Sequence, residues 1–121
     1  MPLADILDIV LAARPRGISF EAANPRHAHE WRVFERVKLP VGKILIPGVL
    51  ESKTNFIEHP ELVAQRIGRY ARLVGRENVL ACSDCGYGTW VGQAAVGPGI
   101  VWAKRRSMAE GARLASREFW P

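Results

Sequence analysis

The spacing of apolar residues along the chain predicts helices and strands in regular alternation. Between residues 3 and 11, apolar side chains recur every three or four positions, which is the pattern of an amphipathic helix. Residues 14–17 (Arg-Pro-Arg-Gly) end this helix, because proline cannot continue the hydrogen-bond ladder. The run 18–23 then predicts a strand, and Asn24-Pro25 indicates the start of a helix that extends to about Val37.

Two further strand–helix units follow in the same order. The β-branched run 43–46 predicts a strand that Pro47-Gly48 closes. Pro60 opens an amphipathic helix, and Gly75 ends it. The third unit consists of a strand over 79–84, a glycine-rich loop over 86–99 and a helix from about 100 to 119.

Strands that alternate with helices at this spacing are parallel, since a parallel crossover needs a dozen or more residues. We therefore predict an α/β fold, with about three parallel strands and flanking helices, in a single domain over residues 1–121. Such a sheet leaves both of its outer strand edges unpaired. We expect these edges to be covered because the chain is part of a larger barrel or because several copies assemble.

Composition narrows the class of protein without pointing to one function. The 121 residues are 48% hydrophobic and 24% charged, as expected of one globular domain. No apolar run approaches the roughly 20 residues that cross a bilayer. Asp5 and Asp8 interrupt the apolar N-terminal stretch, so we expect no secretory signal. Two cysteines cannot form a disulfide framework, which favours a cytoplasmic location.

The net charge of +5 is compatible with nucleic-acid binding but does not require it. Arginines recur on the helix that begins at Pro60, and residues 104–106 (Lys-Arg-Arg) form a second basic cluster. Acidic residues such as Glu61 and Glu110 are interleaved with both groups. We therefore interpret the basic residues as solvated outer helix faces, and we expect neither a nucleic-acid nor a membrane partner.

Polar side chains follow the first and third predicted strands at their carboxyl ends. Alternation along the strands turns Glu21 and Cys85 to one side, and it turns Cys82 and Asp84 to the other. The carboxyl ends of parallel strands meet at one rim, where α/β folds bind ligands. A carboxylate and a thiolate at such a rim suit zinc, so Glu21 and Cys85 are candidate zinc ligands. A salt-bridged carboxylate and a small buried thiol are the alternatives.

Other cysteine and histidine patterns lie near these candidates. Residues 82–85 match the CxxC spacing, but a redox pair needs its first cysteine at the start of a helix, so a packing role for Cys82 is favoured. His27 and His29 could both bind a metal from an extended segment, whereas on a helix they would not share a face. They are otherwise surface or capping residues. Either histidine, like Asp84, is also a candidate catalytic residue.

Four motifs, in order along the chain, carry a resemblance to a known enzyme family. They are Ile18-Ser19-Phe20-Glu21, Ile46-Pro47-Gly48-Val49, Glu58-His59-Pro60-Glu61 ahead of an arginine-containing helix, and Asp84-Cys85-Gly86. Over nearly its whole length the chain resembles the C-terminal part of cobalamin-independent methionine synthase, and more closely the shorter methionine-synthase-like proteins of that superfamily. The resemblance implies the C-terminal portion of a (β/α)8 TIM barrel, with the three strands as its sixth, seventh and eighth.

The resemblance also implies an activity and a cofactor. In this family of homocysteine S-methyltransferases, zinc activates a thiol for attack on the methyl group of a methyl-folate. Glu21 matches the carboxylate zinc ligand, and Cys85 matches the last cysteine ligand. The other ligands, a His-x-Cys pair, would lie before Met1, as would most substrate contacts. We therefore expect methyl transfer to require a missing N-terminal half, a second copy, or His27 or His29. The alternative is a non-catalytic, self-associating half-barrel or binding module.

Overall fold

The computed structural model describes residues 1–88 and 91–121 in full, and residues 89 and 90 only as part of a strand. Its α-helices are α1 (Leu7–Ala12), α2 (Pro60–Val74) and α3 (Pro98–Phe119). Its strands are β1 (Gly17–Phe20), β2 (Ile44–Leu50), β3 (Cys82–Ser83), β4 (Gly88–Trp90) and β5 (Gln93–Ala94). Short 3₁₀ turns cover Leu3–Asp5, Glu30–Glu35 and Arg76–Asn78. The hairpin of β4 and β5 lies within the glycine-rich loop and was not predicted.

Strands β1, β2 and β3 form a parallel sheet in that order, as the sequence predicted. The first half of β2 pairs with β1, from Ile44 opposite Gly17 to Pro47 opposite Phe20. The second half of β2 pairs with β3, beginning at Gly48. The three strands therefore bring their carboxyl ends to one edge of the sheet. Within the described residues, the outer edges of β1 and β3 have no strand partner.

The second strand is longer than predicted, because Pro47-Gly48 does not close it and β2 continues to Leu50. The dipeptide lies between the last residue of β2 that pairs with β1, Pro47 opposite Phe20, and the first that pairs with β3, Gly48 opposite Cys82; ahead of it, Leu45 also forms an isolated bridge with Val79. Beyond it, the backbone N–H of Asp84 donates to the carbonyl of Leu50 at 2.9 Å. This bond holds the second half of β2 in the sheet.

An aromatic cluster joins the sheet to α2 in the main apolar core. Phe20, Phe34 and Tyr70 contact one another, with ring centroids 5.8 to 6.2 Å apart. Ile18 packs against the same core while Ser19 is exposed, so the alternation predicted for β1 is confirmed. Burial raises the pKa of Tyr70 above its ordinary value. The core therefore lies on one side of β1 and leaves the other side open.

Residues 24–37 do not form the α-helix that the sequence predicted; they fold into short turns. Two long-range contacts explain the difference. The backbone N–H of Asn24 donates to the carboxylate of Asp84 at 2.8 Å. The buried carboxylate of Glu30 accepts from the backbone N–H of Leu3, also at 2.8 Å. Both contacts draw the segment against other parts of the chain and override its local helix signals.

Helices α2 and α3 pack against each other and agree with the prediction. At the start of α2, His59 Nδ1 accepts the backbone N–H of Glu61 at 3.2 Å, and Gly75, with φ of 95°, ends the helix. Gly111 of α3 permits close helix contact, since a Cβ there would lie 2.5 Å from Val63. In the described residues, no helix has the length and apolar character needed to cross a bilayer.

The interpretation of Lys104 as part of a solvated basic face is wrong. Its side chain is fully buried, and its ammonium group donates to the carboxylate of Glu58 at 3.0 Å. Ser107, one turn later on α3, donates to the backbone carbonyl of Glu58. Lys104 therefore begins the buried face of α3, which continues through Ser107 to Gly111 and Ala115.

The arginines of α2 and of the turn after it are engaged within the molecule. Arg66 donates to the backbone carbonyl of Val49 at 2.8 Å. The next three arginines lie over aromatic rings, with guanidinium-to-centroid distances of 5.7, 5.2 and 3.9 Å. These pairs are Arg69 with Trp31, Arg72 with Phe119, and Arg76 with Trp120. The basic residues thus contribute to packing as well as to surface charge.

Candidate functional site

Glu21 and Cys85 meet just beyond the carboxyl ends of β1 and β3. The thiol of Cys85 donates to Glu21 Oε1, with a sulfur-to-oxygen distance of 2.7 Å. The two residues are 64 positions apart, and they meet because parallel strands end at one edge of the sheet. Cys85 is exposed, so this pair is open to solvent. The structure thus brings together the two side chains that the sequence predicted as zinc ligands.

Cys82 lies within the sheet, apart from this pair. Its sulfur is 3.5 Å from Ser19 Oγ and donates to the backbone carbonyl of Ile46 at 3.3 Å. Burial raises the pKa of the Cys82 thiol. The strand alternation expected over 79–84 does not extend to Cys85, because β3 ends at Ser83. Cys85 therefore reaches Glu21 from the loop and not from the strand.

The carboxylate of Asp84 ties the end of β1 to the end of β3. Its Oδ1 accepts the backbone N–H groups of Ala22 and Ala23 at 2.8 and 2.9 Å. Its Oδ2 accepts both the backbone N–H and the side-chain amide of Asn24, at 2.8 and 3.0 Å. Four donors thus surround one carboxylate, and they hold the residues next to Glu21 in place. This geometry favours a positioning role for Asp84 over the catalytic role that the sequence left open.

Gly48 of β2 makes room for this carboxylate. A Cβ at position 48 would lie 2.0 Å from Asp84 Oδ1 and 2.7 Å from the Asp84 Cα. No side chain fits at that distance, so Asp84 can cross over β2 only where β2 carries a glycine. The two sequence motifs that contain Gly48 and Asp84 are therefore in direct contact in the structure.

The structure separates the two candidate histidines. His27 Nδ1 lies 2.7 Å from Glu30 Oε2, and its Nε2 lies 3.8 Å from Glu21 Oε2. His29, two residues later, is exposed to solvent. The side chain of Asn24 also contacts Glu21, with Nδ2 donating to Oε2 at 3.0 Å. Glu21 is therefore surrounded by a thiol, an amide and an imidazole.

The contact with Cys85 shifts the ionisation of both partners. The thiol hydrogen bond lowers the pKa of Glu21 despite the opposing effect of partial burial, and Asn24 and the charge of His27 act in the same direction as the thiol. The same hydrogen bond raises the pKa of Cys85, and partial burial adds to this. The contact therefore favours the ionised form of Glu21 and the protonated form of Cys85.

An open cleft of about 310 Å³ lies beside Glu21 and Asp84. Its opposite wall is the loop after β2, which contributes Glu51, Ser52 and Lys53. Ser52 is buried, and its proximity to Cys85 moderates the raised pKa of that thiol. The cleft is therefore open to solvent and lined mainly by polar and charged side chains.

The buried pair of Glu58 and Lys104 holds this loop. Glu58 Oε1 accepts the backbone N–H of Glu51 at 2.8 Å, while Oε2 binds the ammonium of Lys104 at 3.0 Å. Lys104 also donates to the carbonyl of Phe56. Sequence reasoning missed this network because a lysine was counted as polar surface. The spacing of Lys104 with the small residues Ser107 and Gly111 on one helix face was the available signal.

Zinc is the metal that the family resemblance implies, and the donors beyond β1 and β3 suit it in type. Around a tetrahedral zinc ion a carboxylate oxygen and a thiolate sulfur are about 3.6 Å apart, so the Glu21–Cys85 contact of 2.7 Å would widen on binding. In the part of the chain that the structure describes, no three His, Cys, Asp or Glu residues are grouped to hold an ion as they stand. Glu21 and Cys85 therefore form part of a possible zinc site and do not complete one.

Comparison with known proteins gives a fold-level relative. No protein-family model matches the chain, and no curated protein sequence matches it. The fold is similar to that of a B12-independent methionine synthase from Shewanella sp. W3-18-1, solved in complex with selenomethionine. The TM-score is 0.76 at 20% sequence identity, over 94% of this chain. The matched region is 30% of the longer protein, so this chain spans about a third of its relative's length. The likeness shows a shared fold.

Proposed function

We propose that this chain supplies part of the zinc-binding, thiol-activating site of a methionine-synthase-like methyltransferase. The observation that carries the proposal is the contact of Cys85 with Glu21 at the carboxyl rim of a parallel sheet. The sheet belongs to a fold shared with a B12-independent methionine synthase. Both donors lie just beyond the carboxyl ends of strands, which is where enzymes of the α/β class place their chemistry.

The chemistry follows from the charges at the site. Zinc bound there would lower the pKa of a substrate thiol, so that the thiol loses its proton and attacks as a thiolate at neutral pH. We propose a thiol such as homocysteine and a methyl-folate as the reactants: a carbon–sulfur bond forms, the methyl–nitrogen bond breaks, and the folate nitrogen gains a proton. Glu21 and Cys85 would hold the ion, and Asp84 would keep Glu21 in position through its bonds to residues 22–24.

We further propose that the three parallel strands form the C-terminal part of a (β/α)8 barrel. The free outer edges of β1 and β3 support this, since closure of a barrel pairs such edges. A full barrel is typically about 250 residues. Methyl transfer would then require further strands, and the contacts that they carry, from outside the 121 residues described.

The test is metal content. Protein purified without added metal is analysed for zinc per chain. We expect bound zinc in the unaltered protein and a loss of at least tenfold in zinc affinity in Cys85→Ser. The matched control is Cys82→Ser, which removes a thiol that hydrogen-bonds with Ser19 and the backbone of Ile46 and does not contact Glu21 in a hydrogen bond. Equal losses in the two variants, or no zinc at all, would overturn the proposal.

The second candidate function is a non-catalytic module that associates with a second copy of itself. The unpaired edges of β1 and β3 favour it, together with Leu80 beside β3, which is 56% exposed. Sedimentation analysis of the chain separates the two functions when it is combined with the zinc measurement. A dimer without zinc supports self-association alone, whereas a monomer that binds zinc excludes it.

A further inference from the structure

Two cationic side chains line the open cleft beside Glu21 and Asp84, one on each of its walls. Arg26 lies on the segment after β1, and Lys53 lies on the loop after β2. Both side chains are exposed, and among the residues that the structure describes neither of them forms a salt bridge. Their charges are therefore available to a molecule that enters the cleft.

The carboxylates of the cleft are engaged by uncharged donors. Both oxygens of Glu51 accept the backbone N–H of Lys53, each at 3.0 Å. Asp84 accepts its four hydrogen bonds from residues 22–24, and Glu21 accepts from a thiol and an amide. The negative groups thus take their hydrogen bonds without drawing in either cation, and the cleft keeps positive and negative groups apart.

The backbone that carries each cation is held in place. The backbone N–H of Arg26 donates to Asn24 Oδ1 at 3.1 Å, and the amide of Asn24 donates in turn to Asp84 at 3.0 Å. Lys53 lies on the loop that the buried carboxylate of Glu58 fixes through a backbone N–H. A ligand between the two cations would therefore not have to order these loops, which lowers the cost of binding.

The charges of the cleft favour a ligand with a single negative charge. Three carboxylates and two cations line it, so the lining is negative overall and opposes a dianion such as a phosphate monoester. A carboxylate can accept hydrogen bonds from a guanidinium and an ammonium group together. Because Cys85 contacts Glu21, which lines the same cleft, a ligand held between the cations would extend its other end towards that pair.

We propose that Arg26 and Lys53 bind the carboxylate of the thiol substrate, and thereby select an anionic thiol over a neutral one. The inference rests on the proposed function, because the ligand it describes is the thiol that would be methylated. The carboxylate takes no part in the reaction and serves for recognition alone. Since the two cations need no metal ion to act, their role is tested separately from zinc binding.

The experiment compares two alkylating reagents on metal-free protein with Cys82→Ser, which leaves Cys85 as the single cysteine. Iodoacetate carries a carboxylate, and iodoacetamide is its neutral analogue of nearly the same shape. Both react with the same thiolate, so the ratio of their rates does not depend on the pKa of Cys85. We expect Arg26→Gln and Lys53→Gln each to lower the iodoacetate-to-iodoacetamide ratio about two- to fivefold. The double variant should lower it by about the product of the two effects.

A second measurement uses ligands that do not react. 3-(Methylthio)propionate should slow the alkylation of Cys85 by iodoacetamide, whereas the neutral 3-(methylthio)propanol should not. This protection should disappear in the double variant. Inorganic phosphate should protect less than the carboxylate, because the lining of the cleft opposes a second negative charge. Stronger protection by phosphate would overturn the assignment of a singly charged ligand.

Lys38→Gln is the matched control, since Lys38 is an exposed cation that lines a different cleft. Its reagent ratio should equal that of the protein with Cys82→Ser alone, and thermal unfolding shows whether each variant is folded. An unchanged ratio in the double variant would overturn the proposal, as would an equal fall in Lys38→Gln, which would report only the net charge. Absence of bound zinc with the reagent preference intact would overturn the proposed zinc chemistry and not the anion site.

Discussion

Two carboxylates organise this molecule in different ways. Asp84 lies at the carboxyl edge of the sheet and accepts four hydrogen bonds from the chain around residues 22–24, all from neutral donors. Glu58 lies deeper, between the loop after β2 and α3, where its partners are one backbone N–H and the buried ammonium of Lys104. Asp84 fixes the wall of the site that carries Glu21, and Glu58 fixes the opposite wall.

The difference between them concerns the cost of losing a partner. The donors around Asp84 are backbone and amide N–H groups at the partly buried edge, where water can replace a lost bond. Lys104 has no access to water, so removal of either member of its pair leaves an uncompensated charge in the interior. Loss of Lys104, the partner of Glu58, should therefore lower the free energy of unfolding more than loss of a hydrogen bond to Asp84.

The strongest test of this comparison is Lys104→Met. The substitution leaves Glu58 buried without its cation, and we expect the free energy of unfolding to fall by about 3–5 kcal/mol, measured by urea denaturation. Arg113→Ala removes an exposed ion pair with Glu110 on the same helix and is the control, expected to change stability little. Adding Glu58→Gln to Lys104→Met should recover part of the loss. Equal effects of the lysine and arginine variants would contradict the internal role of Lys104.

A second test acts on the space that Asp84 occupies. Gly48→Ala places a methyl group on the Asp84 carboxylate and backbone, so the two strands must separate or the carboxylate must leave its four donors. We expect a loss of about 3 kcal/mol in unfolding free energy. Gly86→Ala is the control, because a Cβ there meets no atom within 4 Å. If both alanine variants unfold at the same urea concentration, Asp84 does not pack as closely against Gly48 as described.

Asp84→Asn addresses the charge and leaves the shape nearly unchanged. The amide offers one oxygen where the carboxylate offers two, and its NH₂ group would face N–H donors. We expect a loss of about 2 kcal/mol, since each hydrogen bond to a charged group contributes about 1.5–3 kcal/mol. Chemical denaturation measures the loss, and Asp8→Asn, at an exposed position of α1, is the reference. A stability equal to that of the unaltered protein would show that Asp84 acts by shape alone.

The smallest effect concerns the exposed pair itself. In a Cys82→Ser background, Glu21→Gln removes the carboxylate whose hydrogen bond and negative charge both raise the pKa of Cys85. The thiolate is the reacting form, so alkylation of Cys85 by iodoacetamide at pH 8 should become about two- to tenfold faster. The difference should shrink as pH rises above both pKa values, where the thiol is ionised in either protein. A slower alkylation in Glu21→Gln would contradict the conclusion that Glu21 raises the pKa of Cys85.

Local patterns predicted those features that depend on local interactions. Helix α2 was predicted from Pro60 and Gly75, because the cap and the stop act within one turn. The meeting of Glu21 with Cys85 was also accessible, since parallel strands must end at one edge. The metal role of these two residues stays a prediction.

Features set by distant contacts were not predictable from one sequence. The turns over 24–37 depend in part on Asp84, 60 positions away from Asn24, and the setting of His27 depends on its contact with Glu30. Lys104 was misassigned because its partner Glu58 lies in another segment. A lysine at the buried face of a helix looks like any surface lysine until the facing carboxylate is known.

The 64-residue separation between Glu21 and Cys85 has a thermodynamic consequence. An ion held by both residues would close a long loop that is open in the unfolded chain. Metal binding and folding would therefore be thermodynamically coupled. Each increase in free metal would then raise the melting temperature, and each loss of global stability would raise the apparent dissociation constant. Substitutions far from the rim, such as those at Lys104, would weaken metal retention without touching a donor atom.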